Sequence, residues 1–194
     1  MISNWRQLWG QGEFSFYIVQ LANFGREKTD PNQAGDWPEL REAQAATAAK
    51  LTNCGLAVTI DIGEADNIHP ANKQDAGKRL SLWALAKDYN KKGVVYSGPA
   101  FKSMNAEGGT ICLSFDNPGG GLIIKGEALK GFAIAGSDNK YYWAEAKIQG
   151  DTVVVSSAKV NNPVTVRYAW GDNPSCNLYN KAGLPAVPFN AKLP

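Results

Sequence analysis

Apolar positions in the first half of the chain fall into two kinds of run. FSFYIVQL (14–21) and GLAVTIDI (55–62) are near-continuous, aromatic or β-branched, and read as buried strands. Between them, DWPELREAQAATAAKLTN reads as a helix. Asp36 stands at its N-cap, Pro38 falls in the first turn, Glu39 completes a capping box, and Gly55 closes it. After the loop GEADNIHPAN, the stretch KQDAGKRLSLWALAKDYN places Leu80, Trp83, Ala84 and Leu85 on one packing side of a second helix. Strand, helix, strand, helix with unbroken apolar strands predicts a parallel α/β sheet covered on both faces. Two such strands make a poor sheet by themselves, so residues 1–93 are expected to be the closing part of a larger parallel domain.

From Val94 onward the pattern changes to short alternating runs. VVYSGPAF, GTICLSF, GLIIKG, GFAIAG, KYYWAEAKIQ, DTVVVSS and PVTVRYAW read as strands, separated by NAEGG, DNPGGG, GSDN, QGD and NNP. This spacing predicts a small antiparallel β-sandwich-like or barrel-like domain over residues 94–194. The tail PSCNLYNKAGLPAVPFNAKLP, rich in proline, is expected to be irregular and laid over the surface.

Composition narrows the function classes. The chain has 194 residues, 44% hydrophobic and 20% charged, within the globular range. A net charge of +2 with scattered Lys and Arg gives no footprint for nucleic acid. No apolar run approaches the roughly 20 residues that span a bilayer, so no membrane span is expected. MISNWRQLWGQGEF lacks a signal-peptide core, which favours a cytoplasmic protein if Met1 is the natural start. Cys54, Cys112 and Cys176 lie far apart and read as small, buried apolar residues. With a single His and dispersed Cys, no metal site and no cofactor are expected.

That single histidine stands in DNIHPAN. A neutral imidazole can take the proton of a serine hydroxyl as it attacks an ester, provided a carboxylate fixes its tautomer. Asp66 and His69, three apart in a tight loop stiffened by Pro70, have that chemistry. The loop follows a strand, where sites form in open α/β sheets. Alone, D-x-x-H is a weak signal, and by spacing it fits an exposed loop histidine beside an acid better than a catalytic pair.

Several segments in order resemble the C-terminal half of the sialate O-acetylesterase family, a carbohydrate-esterase branch of the SGNH hydrolases. They are NWRQLWGQGEFSFYIVQLANF (4–24), WPELREAQ (37–44), GLAVTIDIGEADNIHPANKQDAGKRLSLWAL (55–85), VVYSGPAF (94–101), LKGFAIAG (129–136), VRYAWGDNP (166–174) and NLYNKAGLPAVPF (177–189). The resemblance implies a serine esterase that removes O-acetyl groups from sialic acid or related sugars. It implies that residues 1–93 are the C-terminal half of an SGNH-like catalytic domain, and that Asp66 and His69 are the orienter and base of a triad. It also implies a secreted, periplasmic or lysosomal setting. The family's nucleophile lies in an N-terminal Gly-Gln-Ser-type block that is not found here. Ser97 has no G-x-S-x-G context because Val95 breaks it, and Ser103, Ser114, Ser137, Ser156 and Ser157 fall among strands and turns. The chain is thus expected to be inactive alone. Its serine-bearing half would come from another chain, or the protein would associate with itself through the apolar edge of FSFYIVQL.

Gln20 and Asn23 close the first strand on the same edge as the D-x-x-H loop and suit sugar binding, site organisation or ordinary loop capping. Arg41 and Gln44 share a helix face, and the resemblance recurs there; Arg41 suits an acid near the site or a structural role. Lys73, Lys78 and Arg79 suit a solvated face or the carboxylate of an acidic sugar. Trp5, Trp9, Phe14, Phe16 and Tyr17 suit a core, while Trp143 and Trp170 suit a stacking platform. The second function class, a non-catalytic carbohydrate-binding or structural module on the β half, stays open beside the esterase.

Overall fold

The structure, a computed structural model, describes residues 1–33 and 35–193. It opens with a helix, α1 (Ile2–Trp9), that the hydrophobic pattern does not announce. Gly10 ends it in the left-handed conformation, at φ 63°, as helix C-termini favour. Arg6 ties it down from a buried position. Its guanidinium donates to the carbonyls of Phe14 at 2.7 Å and Thr52 at 2.9 Å.

β1 (Phe16–Val19) and β2 (Cys54–Ala57) pair in parallel, Phe16 opposite Cys54 and Val19 opposite Ala57. The two helices α2 (Trp37–Lys50) and α3 (Lys73–Lys87) pack against this pair. Asp36 occupies the N-cap of α2, but its side chain makes no capping hydrogen bond. Asn72 does cap α3, accepting from the Asp75 N–H at 3.1 Å.

The second half is built from β3 (Ala100–Glu107), β4 (Thr110–Asp116), β5 (Leu122–Ile124), β6 (Phe132–Ala135), β7 (Tyr142–Trp143), β8 (Glu145–Gln149), β9 (Thr152–Ser156), β10 (Thr165–Tyr168), β11 (Leu178–Asn180) and β12 (Phe189–Lys192). They form sheets in the orders β3-β4-β9-β8 and β12-β10-β6-β7, with a β11-β5 pair beside them. Every one of these pairings is antiparallel. Burial alternates along β4 and β9, which sends Ile111, Leu113, Val153 and Val155 inward. They meet Phe132, Ile134, Val166 and Tyr168 in one core that also takes Leu56, Val58 and Ile60 from the first half.

The architecture corrects the expected fold class. Among the described residues no SGNH-hydrolase-like parallel sheet core is evident; the parallel part is two strands, and the rest of the sheets are antiparallel. The reason lies in GLAVTIDI. Only Cys54–Ala57 makes ladder bonds. Beyond Ala57, side chains capture the backbone: Arg79 donates to the Val58 carbonyl, and the Thr59 hydroxyl donates to the Gln20 carbonyl. Val58 and Ile60 are apolar because they enter the shared core, not because they extend a sheet.

Two further expectations differ. Residues 94–99 of VVYSGPAF are not strand; β3 starts at Ala100 and runs through Glu107 to the turn at Gly108. The proline-rich tail is not a surface strap either. It supplies β11 and β12, and Leu178, Ala186 and Phe189 are buried.

Candidate active site

The D-x-x-H loop is assembled from the strand exits upward. After β2 the chain turns at Thr59–Ile62, where the Ile62 N–H donates to the Thr59 carbonyl at 3.2 Å. Arg79 reaches in from α3 and grips this turn. It donates to both carboxylate oxygens of Asp61, at 2.5 and 2.8 Å, and to the Val58 carbonyl at 2.6 Å. The Tyr179 hydroxyl, from β11, adds a bond to Asp61 at 3.0 Å. Burial, and then the Asp61 charge, push the Tyr179 phenol well above its ordinary range. The same two causes push the Cys176 thiol up to about 12.

A second set of bonds holds the exit of β1. Arg41 is wholly buried, and its guanidinium donates to the carbonyls of Leu21, Ala22, Gly171 and Asp172 at 2.6 to 2.8 Å. Desolvation pulls Arg41 down to about 10, against the opposing pull of Asp172. Gln44 accepts from the Leu21 N–H at 3.0 Å, and buried Gln20 donates to the Arg41 carbonyl at 3.1 Å. Asn23 links the two strand exits: its Oδ1 accepts from the Gly63 N–H at 2.7 Å, and its Nδ2 donates to Asn173 at 2.8 Å. Gly63 has no room for a side chain, because a Cβ there would lie 2.0 Å from the Asn23 carbonyl oxygen.

Above this base, residues 64–71 close on themselves. The Glu64 carboxylate accepts from the Ala71 N–H at 2.6 Å and from the Asn67 amide at 3.4 Å. Asn67 in turn accepts from the His69 N–H at 2.9 Å. Asp66 and His69 both stand exposed on this bracketed loop. No hydrogen bond or ion pair joins their side chains, and no serine hydroxyl bonds His69 among the described residues. Ser97 is buried and bonds the Gly98 carbonyl at 3.0 Å, while Ser15 bonds Asp88.

Of the four residues Gln20, Asn23, Arg41 and Gln44, Asn23 bonds the entry to the loop at Gly63, while Gln20, Arg41 and Gln44 hold the exit of β1, all with their bonded polar atoms turned to the chain itself. Of the three cations after His69, Lys73 and Lys78 are exposed, but Arg79 is buried and committed to Asp61. Asp61, Glu64, Asn173 and Tyr179 belong to the same framework and have no motif. The one signal for them is an acid closing an apolar run, followed by a Gly-Glu step into the D-x-x-H loop.

No family model matches the chain, and no curated protein matches it. Among solved structures it is similar to a carbohydrate acetylesterase from Xanthomonas citri. The TM-score is 0.91 at 44% sequence identity, over 99% of this chain and 44% of that protein. The chain thus spans less than half the length of that enzyme. The resemblance to carbohydrate esterases stands at this level; a sialate-specific or SGNH assignment goes beyond it.

Proposed function

We propose that the chain carries the acid–base half of a carbohydrate acetylesterase, with Asp66 as orienter and His69 as general base. What supports this reading is an exposed, bracketed D-x-x-H loop in a chain 44% identical to a carbohydrate acetylesterase. In the working enzyme Asp66 accepts from one imidazole N–H of His69. The other nitrogen takes the proton of a serine hydroxyl as its oxygen bonds the acetyl carbonyl carbon. His69 then gives that proton to the departing sugar oxygen. A water molecule repeats the cycle and releases acetate. The substrates are O-acetylated sugars, sialic acid or its relatives among them.

Gln20, Asn23, Arg41 and Gln44 act here as positioning residues at the strand exits that lead into the loop. The serine comes from a polypeptide outside these 194 residues, or from a partner chain. A second copy of the chain would bring no new residue types to the site, so we favour a serine-bearing stretch outside these residues.

The test combines this chain with the part of the Xanthomonas citri enzyme that it does not span, and follows acetate release from an acetylated sugar. The chain alone is expected to be inactive and the mixture active, with His69→Ala reducing the mixture about a million-fold. Hydrolysis by the chain alone that depends on His69 would place the nucleophile inside it. An active mixture indifferent to His69→Ala would remove the proposed base.

A further inference from the structure

A separate cleft lies on the outer face of the β12-β10-β6-β7 sheet. Register places Arg167 between Asn190 and Ala133, and Thr165 between Lys192 and Ala135. Opposed residues share a face, so these side chains project away from the core that takes Val166 and Tyr168. Tyr141 packs over the short side chains of Ala133 and Ala135 in one buried cluster. Tyr141 also walls a cavity of about 490 Å³ lined by Arg167, Asn190, Lys192, Asn139 and Asn32.

Arg167 is the unusual group. Its guanidinium carbon sits 3.8 Å from the Tyr141 ring centroid and 5.3 Å from that of Trp170. Its Nε is buried with no hydrogen-bond partner. No hydrogen bond or ion pair engages its other donors among the described residues, although it carries five N–H groups. Glu42 feels its charge without pairing to it. A partly buried cation ordinarily finds an acceptor, because leaving it unmatched is costly. The wall is also held in place: Asn32 bonds both the N–H and the carbonyl of Tyr141, at 2.8 and 2.9 Å. Cation, wall and hollow are therefore pre-arranged for something that supplies acceptors.

We propose that this cleft binds the carboxylate of an acidic sugar. The planar fork of Arg167 matches a carboxylate in two parallel bonds, and Lys192 adds a second positive charge at the rim. The amides of Asn190 and Asn139 supply donors and acceptors for ring hydroxyls. The choice of a sugar rests on the carbohydrate reading above, whereas the carboxylate subsite rests on Arg167 itself. The cleft is a binding site apart from hydrolysis, and it gives the β half a role in holding substrate.

Calorimetric titration of the full chain tests this, with glucuronate as ligand and glucuronamide, glucose and acetate as controls. Glucuronate is expected to bind saturably, and glucuronamide about tenfold or more weaker, since a charge-assisted pair is lost. Arg167→Gln is expected to abolish binding. Asn190→Ala and Lys192→Gln, both at exposed positions, are expected to weaken it with the fold intact by circular dichroism. His69→Ala is expected to leave it unchanged, which separates this proposal from the hydrolytic one. Equal binding of glucuronate and glucuronamide, or undiminished binding by all three cleft variants, would sink the carboxylate subsite. Acetate binding as tightly as glucuronate would overturn the sugar.

Discussion

At the scale of single residues, the base of the candidate site is held by charges spent on backbone. Arg41 satisfies four carbonyls from two segments, residues 21–22 and 171–172. Arg41→Met leaves those carbonyls without their donor and is expected to cost about 3 kcal/mol or more, read from urea unfolding midpoints. Gly63→Ala forces a methyl group against the Asn23 carbonyl. It is expected to cost about 1–3 kcal/mol and to displace the D-x-x-H loop, read as loss of acetate release in the reconstituted mixture. Titration of Cys176 gives a pH signature. Its thiol is raised from 9.0 to about 12, by desolvation first and the Asp61 charge second, so the folded protein holds this proton more tightly than the unfolded chain. The contribution to stability is intact below pH 9 and is lost as pH rises from 9 to about 12. Midpoints in urea are expected to fall across that window, less steeply in Cys176→Ala; parallel profiles for the two proteins would contradict the assignment. None of this was legible from residue types. A carbonyl acceptor leaves no trace in a sequence, so Arg41 reads equally well as a sugar ligand, an ion-pair partner or a clamp.

At the scale of elements, legibility follows local punctuation. The D-x-x-H loop reads as a strand-to-helix connection because Gly63 and Pro70 punctuate the chain between an apolar run and a helical one. Helix α2 was readable from its alanines and Pro38, though its capping box was not realised. The tail was misread for the same reason in reverse. Pro185 and Pro188 suggest irregular chain, yet they flank Ala186 and Phe189, which are core residues. Phe189 lies 4.8 Å from Phe101 and 6.0 Å from Tyr168 between ring centroids, bridging the two larger sheets. Phe189→Ala is expected to cost about 3–5 kcal/mol, comparable to losing a central core aromatic, in equilibrium unfolding. A value under about 1 kcal/mol would return the tail to the surface. The parallel-sheet expectation failed at GLAVTIDI because a continuous apolar run is common to a two-faced strand and to a loop driven into a core.

At the scale of the whole molecule, β1 is the open side. Among the described residues it pairs with β2 alone, and Val19 at its end is 45% exposed, with Leu40 at 49%. A groove of about 570 Å³ runs along this edge between β1 and α2. Unpaired strand edges template association. Sedimentation is expected to show concentration-dependent self-association of the chain alone, reduced by Val19→Lys and by addition of a serine-bearing partner. A single monomeric species at all concentrations would mean that the edge is closed by other means.

The order in which strands find their partners also governs how the protein is made. β6 meets β7 early but waits for β10 on its other edge, β5 waits for β11, and β10 is completed by β12, so β5 and one edge of β6 stay unpaired until residues 165–192 exist. A nascent chain therefore leaves Leu122 unpaired and the buried residues Phe132 and Ile134 on a strand open along one edge until the last third of the chain is made. Stalled or prematurely terminated products that stop before Phe189 would present this apolar surface to chaperones and proteases. Quality control in the cell thus falls on a few residues beside two prolines, far along the chain from the D-x-x-H loop.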